Sequence, residues 1–203
     1  LINLIPRFYD VTKGSIKIDG VDVRDYDLKY LRKKIGFIPQ KTLLFTGSIA
    51  NNIKFGKKDA EYKEVEDSAK IAQAYEFISN KPNKFDEIIT EGGSNVSGGQ
   101  KQRLSIARAI VRKPDIYIFD DSFSALDFKT DAILRKELRS ETKDAIVLIV
   151  AQRIGSIMDA DKIIVLNEGE VVGIGTHKEL IKNCPIYHEI ATSQLTEEEL
   201  ANE

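Results

Sequence analysis

The chain alternates between short, continuous apolar runs and stretches in which apolar residues recur at helical spacing. Residues 15–19 and 21–23 read as two short strands, with Asp19-Gly20 between them as a hairpin turn. A short amphipathic helix over 26–34 and a brief buried strand over 35–39 follow. Helices are then expected over 48–55 and 61–79, the second with Val65, Ala69, Ala72 and Phe77 on one face. Residues 91–99 are rich in Gly, Ser and Asn and read as a loop, and a helix over 97–112 is stopped by Pro114. Ile116-Tyr117-Ile118-Phe119 is an apolar strand that ends in two aspartates. A helix over 129–140, a second fully buried strand over 145–150 and a strand, Asn-Glu-Gly turn, strand unit over 162–175 come next. Two helices close the fold, and the acidic stretch 196–203 is expected to fray. Residues 1–5 read as the middle of a helix, and the chain starts with Leu1 rather than Met, so a fragment of something longer is expected.

Apolar strands alternating with helices predict an α/β fold, a mainly parallel sheet covered on both faces. No repeat or low-complexity segment interrupts it. The span 48–113 is almost all helical and is expected to form a subdomain, which divides the chain into 1–47, 48–113 and 114–203. With 203 residues, 42% hydrophobic and 31% charged, the chain has globular proportions and enough length for a substantial core. A net charge of −2 argues against a nucleic-acid-binding surface as the main business. The clusters Arg32-Lys33-Lys34 and Lys57-Lys58 read as solvated faces. Cys184 has no partner for an internal disulfide, which fits a reducing compartment. The longest apolar run, 145–151, is far short of the ~20 residues that span a membrane, and no signal-peptide pattern is present.

Two stretches carry candidate chemistry. In Val96-Ser97-Gly98-Gly99-Gln100, two glycines after a Ser cap let a ligand approach the backbone, and the first turn of the following helix offers N–H groups to an anion such as phosphate. Taken alone it reads equally as an ordinary capped helix after a flexible turn. Ile116-Tyr117-Ile118-Phe119 then delivers Asp120 and Asp121 to the carboxyl end of a strand, where ligands sit in open parallel sheets. Paired carboxylates there can hold Mg²⁺ while a neighbour handles a proton. The plainer reading is an Asp-rich turn. Ser124-Ala125-Leu126-Asp127 follows at once.

In this order and spacing the segments resemble the ATP-binding cassette (ABC) transporter family along essentially the whole chain. The resemblance implies a P-loop-NTPase-like sheet flanked by helices and an all-helical signature subdomain. On that basis 1–47 is a partial ATP-binding core with the Q-loop, 48–113 the signature subdomain, and 114–203 the rest of the core with the C-terminal helices. Gln40, in Ile38-Pro39-Gln40, resembles the Q-loop glutamine, which in the family contacts Mg²⁺ and the attacking water and senses the membrane domain. Ser97, Gly98, Gly99 and Gln100 resemble the signature that binds ATP held by the opposing subunit. Asp120 matches the Mg²⁺-associated Walker B aspartate, and Ser124 to Asp127 the D-loop that crosses the dimer. Leu44-Phe45-Thr46-Gly47-Ser48-Ile49, Glu91-Gly92-Gly93 and Gly175-Thr176-His177-Lys178-Glu179-Leu180 resemble the exporter branch, of multidrug or lipid type. ATP and Mg²⁺ are the implied cofactors. The implied partners are a second nucleotide-binding domain and transmembrane domains that hold the chain at the cytoplasmic face of the cell membrane.

Three features depart from that pattern. No G-x-x-x-x-G-K-[ST] occurs, and the family's P-loop ends just before a stretch like Leu1-Ile2-Asn3-Leu4-Ile5. The phosphate cradle and its lysine are therefore expected upstream, and residues 1–203 alone are expected to bind ATP weakly or not at all. Asp121 stands where the family has a catalytic glutamate, so its carboxylate is one methylene short. Gln152 stands where it has the switch histidine, and an amide cannot exchange a proton near neutral pH. With the signature intact, these changes suggest the slow-site subunit of a heterodimer whose signature completes its partner's site. Two other functions stay open: a non-transport ATPase of the same superfamily, and a nucleotide sensor that does not hydrolyse. Gly173-Ile174-Gly175 lacks the third glycine of a dinucleotide fingerprint, and Ser105 has no triad partner. His177 and His188 read as helix-surface or capping residues.

Overall fold

In the computed structural model, which describes residues 1–195, the first residues form a single 3-10 turn, Ile2–Leu4. The longer helix suggested by the apolar start ends early because Pro6 has no N–H to offer and Arg7 turns left-handed, φ 54°. Strands β1 (Lys17–Ile18) and β2 (Val21–Asp22) pair antiparallel through Asp19 and Gly20, both at positive φ, 51° and 80°. That turn has the twist a strand pair needs. Asp27 caps α1 (Leu28–Lys33) by accepting the Tyr30 N–H at 2.9 Å, and β3 (Ile35–Ile38) follows.

After β4 (Gly47–Ser48), Ser48 caps α2 (Ile49–Lys54). The helix expected over 61–79 is two helices, α3 (Tyr62–Ile71) and α4 (Tyr75–Ser79). Gln73 breaks them with φ 55°, and its carbonyl accepts Arg103 Nη1 at 2.8 Å. Apolar spacing continues unbroken across the kink, because Ala72 and Ala74 are both fully buried, so periodicity could not reveal it. Strand β5 (Ile88–Ile89) pairs with β4, so the span 48–113 is not helical throughout. Helix α5 (Gly98–Ile110) is the long axis of this region, and β6 (Ile116–Asp120), α6 (Phe128–Glu141) and β7 (Ile146–Val150) complete it.

Strands β3, β6 and β7 form one parallel sheet in the order β3-β6-β7. Side chains of β6 alternate between its faces. Tyr117 and Phe119 pack into the large core with Leu104, Ile106 and Leu134, while Ile116 and Ile118 pack with Val23, Leu31 and Ile35. The sheet is therefore covered on both sides at its centre. Strand β7, expected to be fully buried, is an edge strand among the described residues, with Ile146 59% exposed. Hydrophobicity equips a strand for burial but does not supply the element that would cover it.

The chain divides into two compact units, Leu1–Val150 and Ala151–Glu203. Within the second, β8 (Ile163–Asn167) and β9 (Glu170–Gly175) form an antiparallel hairpin, followed by α7 (His177–Asn183) and α8 (Pro185–Thr192) around Ile163, Val165, Leu180 and Tyr187. The expectation for 196–203 lies outside the described residues. Among the described residues no helix is long and apolar enough to cross a membrane.

Candidate functional site

Parallel pairing sets Ile38 opposite Phe119, so the chain leaves β3 and β6 at the same carboxyl edge of the sheet. Gln40 follows β3, Asp120 ends β6 half-buried, and Asp121 begins the next turn. Gln40 Nε2 donates to Asp121 Oδ2 at 2.9 Å, joining two residues 81 positions apart. Asp121 adopts φ 46°, a left-handed conformation that, glycine aside, short polar residues tolerate best, and its N–H donates to the Val150 carbonyl at 2.9 Å. Fully buried Ser122 stitches the turn to β3 by donating to the Ile38 carbonyl at 2.9 Å. Ser124 Oγ donates to the Asp121 carbonyl at 2.9 Å. Three strand ends thus hold one carboxylate in place. Two carboxylates and a side-chain amide at one sheet edge form a hard-oxygen donor set, the kind Mg²⁺ takes.

The Ser97 stretch forms a reciprocal cap. The Gln100 N–H donates to Ser97 Oγ at 3.2 Å, and the Ser97 N–H donates to Gln100 Oε1 at 3.1 Å. Both side chains serve their own helix end, while the N–H groups of Gly98 and Gly99 lie in the first turn, where no intrahelical acceptor exists. A Cβ on Gly98 would meet nothing within 4 Å. A Cβ on Gly99 would lie 3.2 Å from the Ala125 carbonyl oxygen, so the start of α5 sits against residues 125–126. The neighbouring Asp127 caps α6 by accepting the Thr130 N–H at 2.9 Å. That bond, with the Thr130 hydroxyl next, holds its carboxyl below the usual carboxylate range.

Two residues that the motifs did not single out tie α5 to the segment after β3. Gln102, 3% exposed, accepts the Thr42 hydroxyl at 2.6 Å and donates to the Pro39 carbonyl at 3.4 Å, bracketing Gln40. Arg108 donates to the carbonyls of Asn52 and Leu43 and to Asn52 Oδ1 at 2.9–3.0 Å, with its guanidinium over Phe45 and Phe55. Burial pushes that guanidinium down to about 10. Asn52, itself buried, exchanges hydrogen bonds with both the N–H and the carbonyl of Phe45. The signal for both was a long polar side chain among the apolar residues Leu104, Ile106, Ala107, Ala109 and Ile110 of the helix. Lys101 Nζ also reaches the Gly92 carbonyl at 2.8 Å, linking α5 to residues 91–93, which form a short 3-10 turn inside the expected loop.

In the second unit, Gln152 is exposed, and its carbonyl accepts Gln194 Nε2 at 2.8 Å while Gln194 Oε1 accepts the Ile154 N–H. His177 does not lie on a helix surface. It is 3% exposed, and its Nδ1 lies 2.7 Å from the Tyr187 hydroxyl, because α8 folds back over the start of α7. Gly173-Ile174-Gly175 belongs to β9 of the antiparallel hairpin.

A parallel sheet whose strand ends carry Gln40, Asp120 and Asp121, with a glycine-opened helix beside the following loop, has the fold of an ABC nucleotide-binding domain. A family model for ABC transporters matches residues 1–124, and the chain belongs to that family. An uncharacterized ABC transporter ATP-binding protein of Mycobacterium tuberculosis is 43% identical over 197 residues, covering 96% of this chain and 34% of that protein. A Staphylococcus aureus protein provisionally named as a multidrug export ATP-binding/permease protein is 45% identical over 194 residues, covering 96% of this chain and 34% of its own length. A solved structure of a bacterial Atm1-family ABC exporter with ATP bound superposes with a TM-score of 0.93 at 36% identity, covering 97% of this chain and 35% of that one. The chain spans about a third of the length of these relatives.

Proposed function

We propose that this chain is the nucleotide-binding domain of an ABC exporter, and that it forms the slow half of a heterodimer coupling ATP hydrolysis to transport through membrane helices. The observation that carries the reading is the Gln40–Asp121 hydrogen bond at the carboxyl edge of a parallel sheet, in a chain whose signature start is open at Gly98. Asp120 and the Gln40 amide oxygen would hold Mg²⁺ there, and ATP bound with it would supply the phosphoryl group to be transferred. Asp121 occupies the position of the proton acceptor. Its short side chain is turned into the Gln40 amide, so its carboxylate reaches a shorter distance toward an attacking water than a glutamate would. Gln152 would donate to a phosphate oxygen without exchanging a proton.

Ser97, Gly98, Gly99 and Gln100 would meet ATP held by the partner domain, using the first-turn N–H groups of α5. Asp127 and the loop before it would cross the dimer. No G-x-x-x-x-G-K-[ST] occurs in residues 1–203, so these residues alone would bind ATP weakly or not at all. In the longer transporter with its partner, Asp121→Glu combined with Gln152→His raises turnover at the slow site. Ser97→Arg abolishes the fast hydrolysis of the heterodimer, and unchanged fast hydrolysis in that variant would overturn the proposal.

A further inference from the structure

Far from the strand-end site, three basic pairs that are remote in sequence converge on one cleft. It has a volume of about 640 Å³ and is lined by Lys33 and Lys34 at the end of α1, Lys57 and Lys58 after α2, and Arg112 and Lys113 after α5. Among the described residues, only Asp59 and Asp115 line it with opposite charge. Lys34 is engaged by Asp115 at 2.8 Å and Asp19 at 3.4 Å, and Lys57 by Glu64 at 2.6 Å. Arg112 gives one N–H to the Lys33 carbonyl at 3.2 Å. Lys33, Lys58 and Lys113 are exposed and form no ion pair among the described residues.

Helix ends explain some of this charge, since last-turn carbonyls attract cations with roughly half a unit charge per helix. Three unpaired lysines and a guanidinium exceed that demand. Lys113 also occupies a left-handed position, φ 49°, just past the end of α5, where glycine is the favoured residue. The exposed rings of Tyr30 and Phe55 supply apolar walls. The cleft opens at the amino-terminal edge of β3 and β6. The length of β3, roughly 13 Å at ~3.3 Å per residue, therefore separates it from Gln40 and Asp121.

We infer that this cleft is a second anion site, one that takes a ligand bearing several phosphate charges. The inference does not depend on the role proposed for the strand-end site. Cations drawn from three chain segments onto one cleft attract a multivalent anion, and binding there weakens as salt screens it. The test titrates inorganic tripolyphosphate into the full chain by calorimetry at low salt, and in parallel sediments the chain with phosphatidylglycerol or phosphatidylcholine vesicles. A triple variant, Lys33→Ala with Lys58→Ala and Lys113→Ala, changes only exposed side chains, and its thermal midpoint verifies folding. The expected result is a loss of about tenfold in affinity in the triple variant, or about 1.4 kcal/mol, with binding unchanged in Ser97→Arg. Binding of tripolyphosphate alone supports a soluble ligand, and binding of phosphatidylglycerol vesicles alone supports a lipid headgroup. The inference is overturned if the parent binds neither probe, if the triple variant binds like the parent, or if Ser97→Arg alone removes the binding.

Discussion

Two glycines of this chain are predicted to fail in opposite ways when given a methyl group. At Gly56 an added Cβ would lie 1.9 Å from the Arg108 carbonyl oxygen, against a closest real approach of about 3.0 Å, so α2 and α5 must part by at least 1.1 Å. The obstacle is backbone inside a helix, which cannot swing aside as a side chain would. Parting by that amount also stretches the Arg108 bonds to Asn52, now 2.9 and 3.0 Å, toward 4 Å, beyond hydrogen-bond range. Overpacking of this kind costs ~3 kcal/mol, which for a chain of this size lowers the thermal midpoint by about 6–12 °C. Gly98→Ala meets nothing within 4 Å and should change stability by less than about 0.5 kcal/mol. If Gly98 meets nucleotide as proposed above, the added methyl should depress fast ATP hydrolysis in the assembled transporter while the fold is kept. Urea unfolding of both variants beside the parent, followed by hydrolysis assays, separates the two effects. A Gly56→Ala chain that unfolds at the parent's urea midpoint would refute the packing argument. A Gly98→Ala transporter with full activity would refute the open-face argument.

Replacing Gln102 with Leu leaves the Thr42 hydroxyl without its 2.6 Å acceptor and should cost ~1–3 kcal/mol. Faster amide exchange over residues 40–42 would show that the segment around Gln40 has loosened, and unchanged exchange there would show that Gln102 does not hold it. Asp127 titrates lower in the folded chain than in the unfolded one because it accepts from Thr130. The stabilisation from that cap is therefore complete above the ordinary aspartate value of about 4 and is lost as pH falls through the lower folded value. The difference in thermal midpoint between the parent and Asp127→Asn should shrink below pH ~4, and a constant difference from pH 7 to pH 3 would contradict this.

The cap at Ser97 and the links at Gln102 and Arg108 place one helix in contact with three regions at once. The amino end of α5 faces the loop after β6, its second turn holds residues 39–42, and its last turn holds residues 43–52. Hydrogen bonds from Gln102 to residues 39 and 42, either side of Gln40, therefore tie that segment to the same helix that Ser97 caps.

Local chemistry alone decides much of this protein. The Asp19-Gly20 turn, the Ser97 cap, the strand ending in Asp120, and the helix halted before Pro114 each depend on residues a few positions apart, so they were legible from the chain itself. The parallel sheet was legible too, because continuous apolar strands alternating with helices leave few sheets to choose from. Only the tertiary structure decided the break at Gln73, the exposed edge of β7, the burial of His177 and the bond from Gln40 to Asp121. It likewise gathered Lys33 and Lys58, whose clusters read as separate solvated faces, with Lys113 around a single cleft. These features depend on partners tens of residues away, and hydrophobic periodicity records whether a position is suited to burial without naming what will meet it.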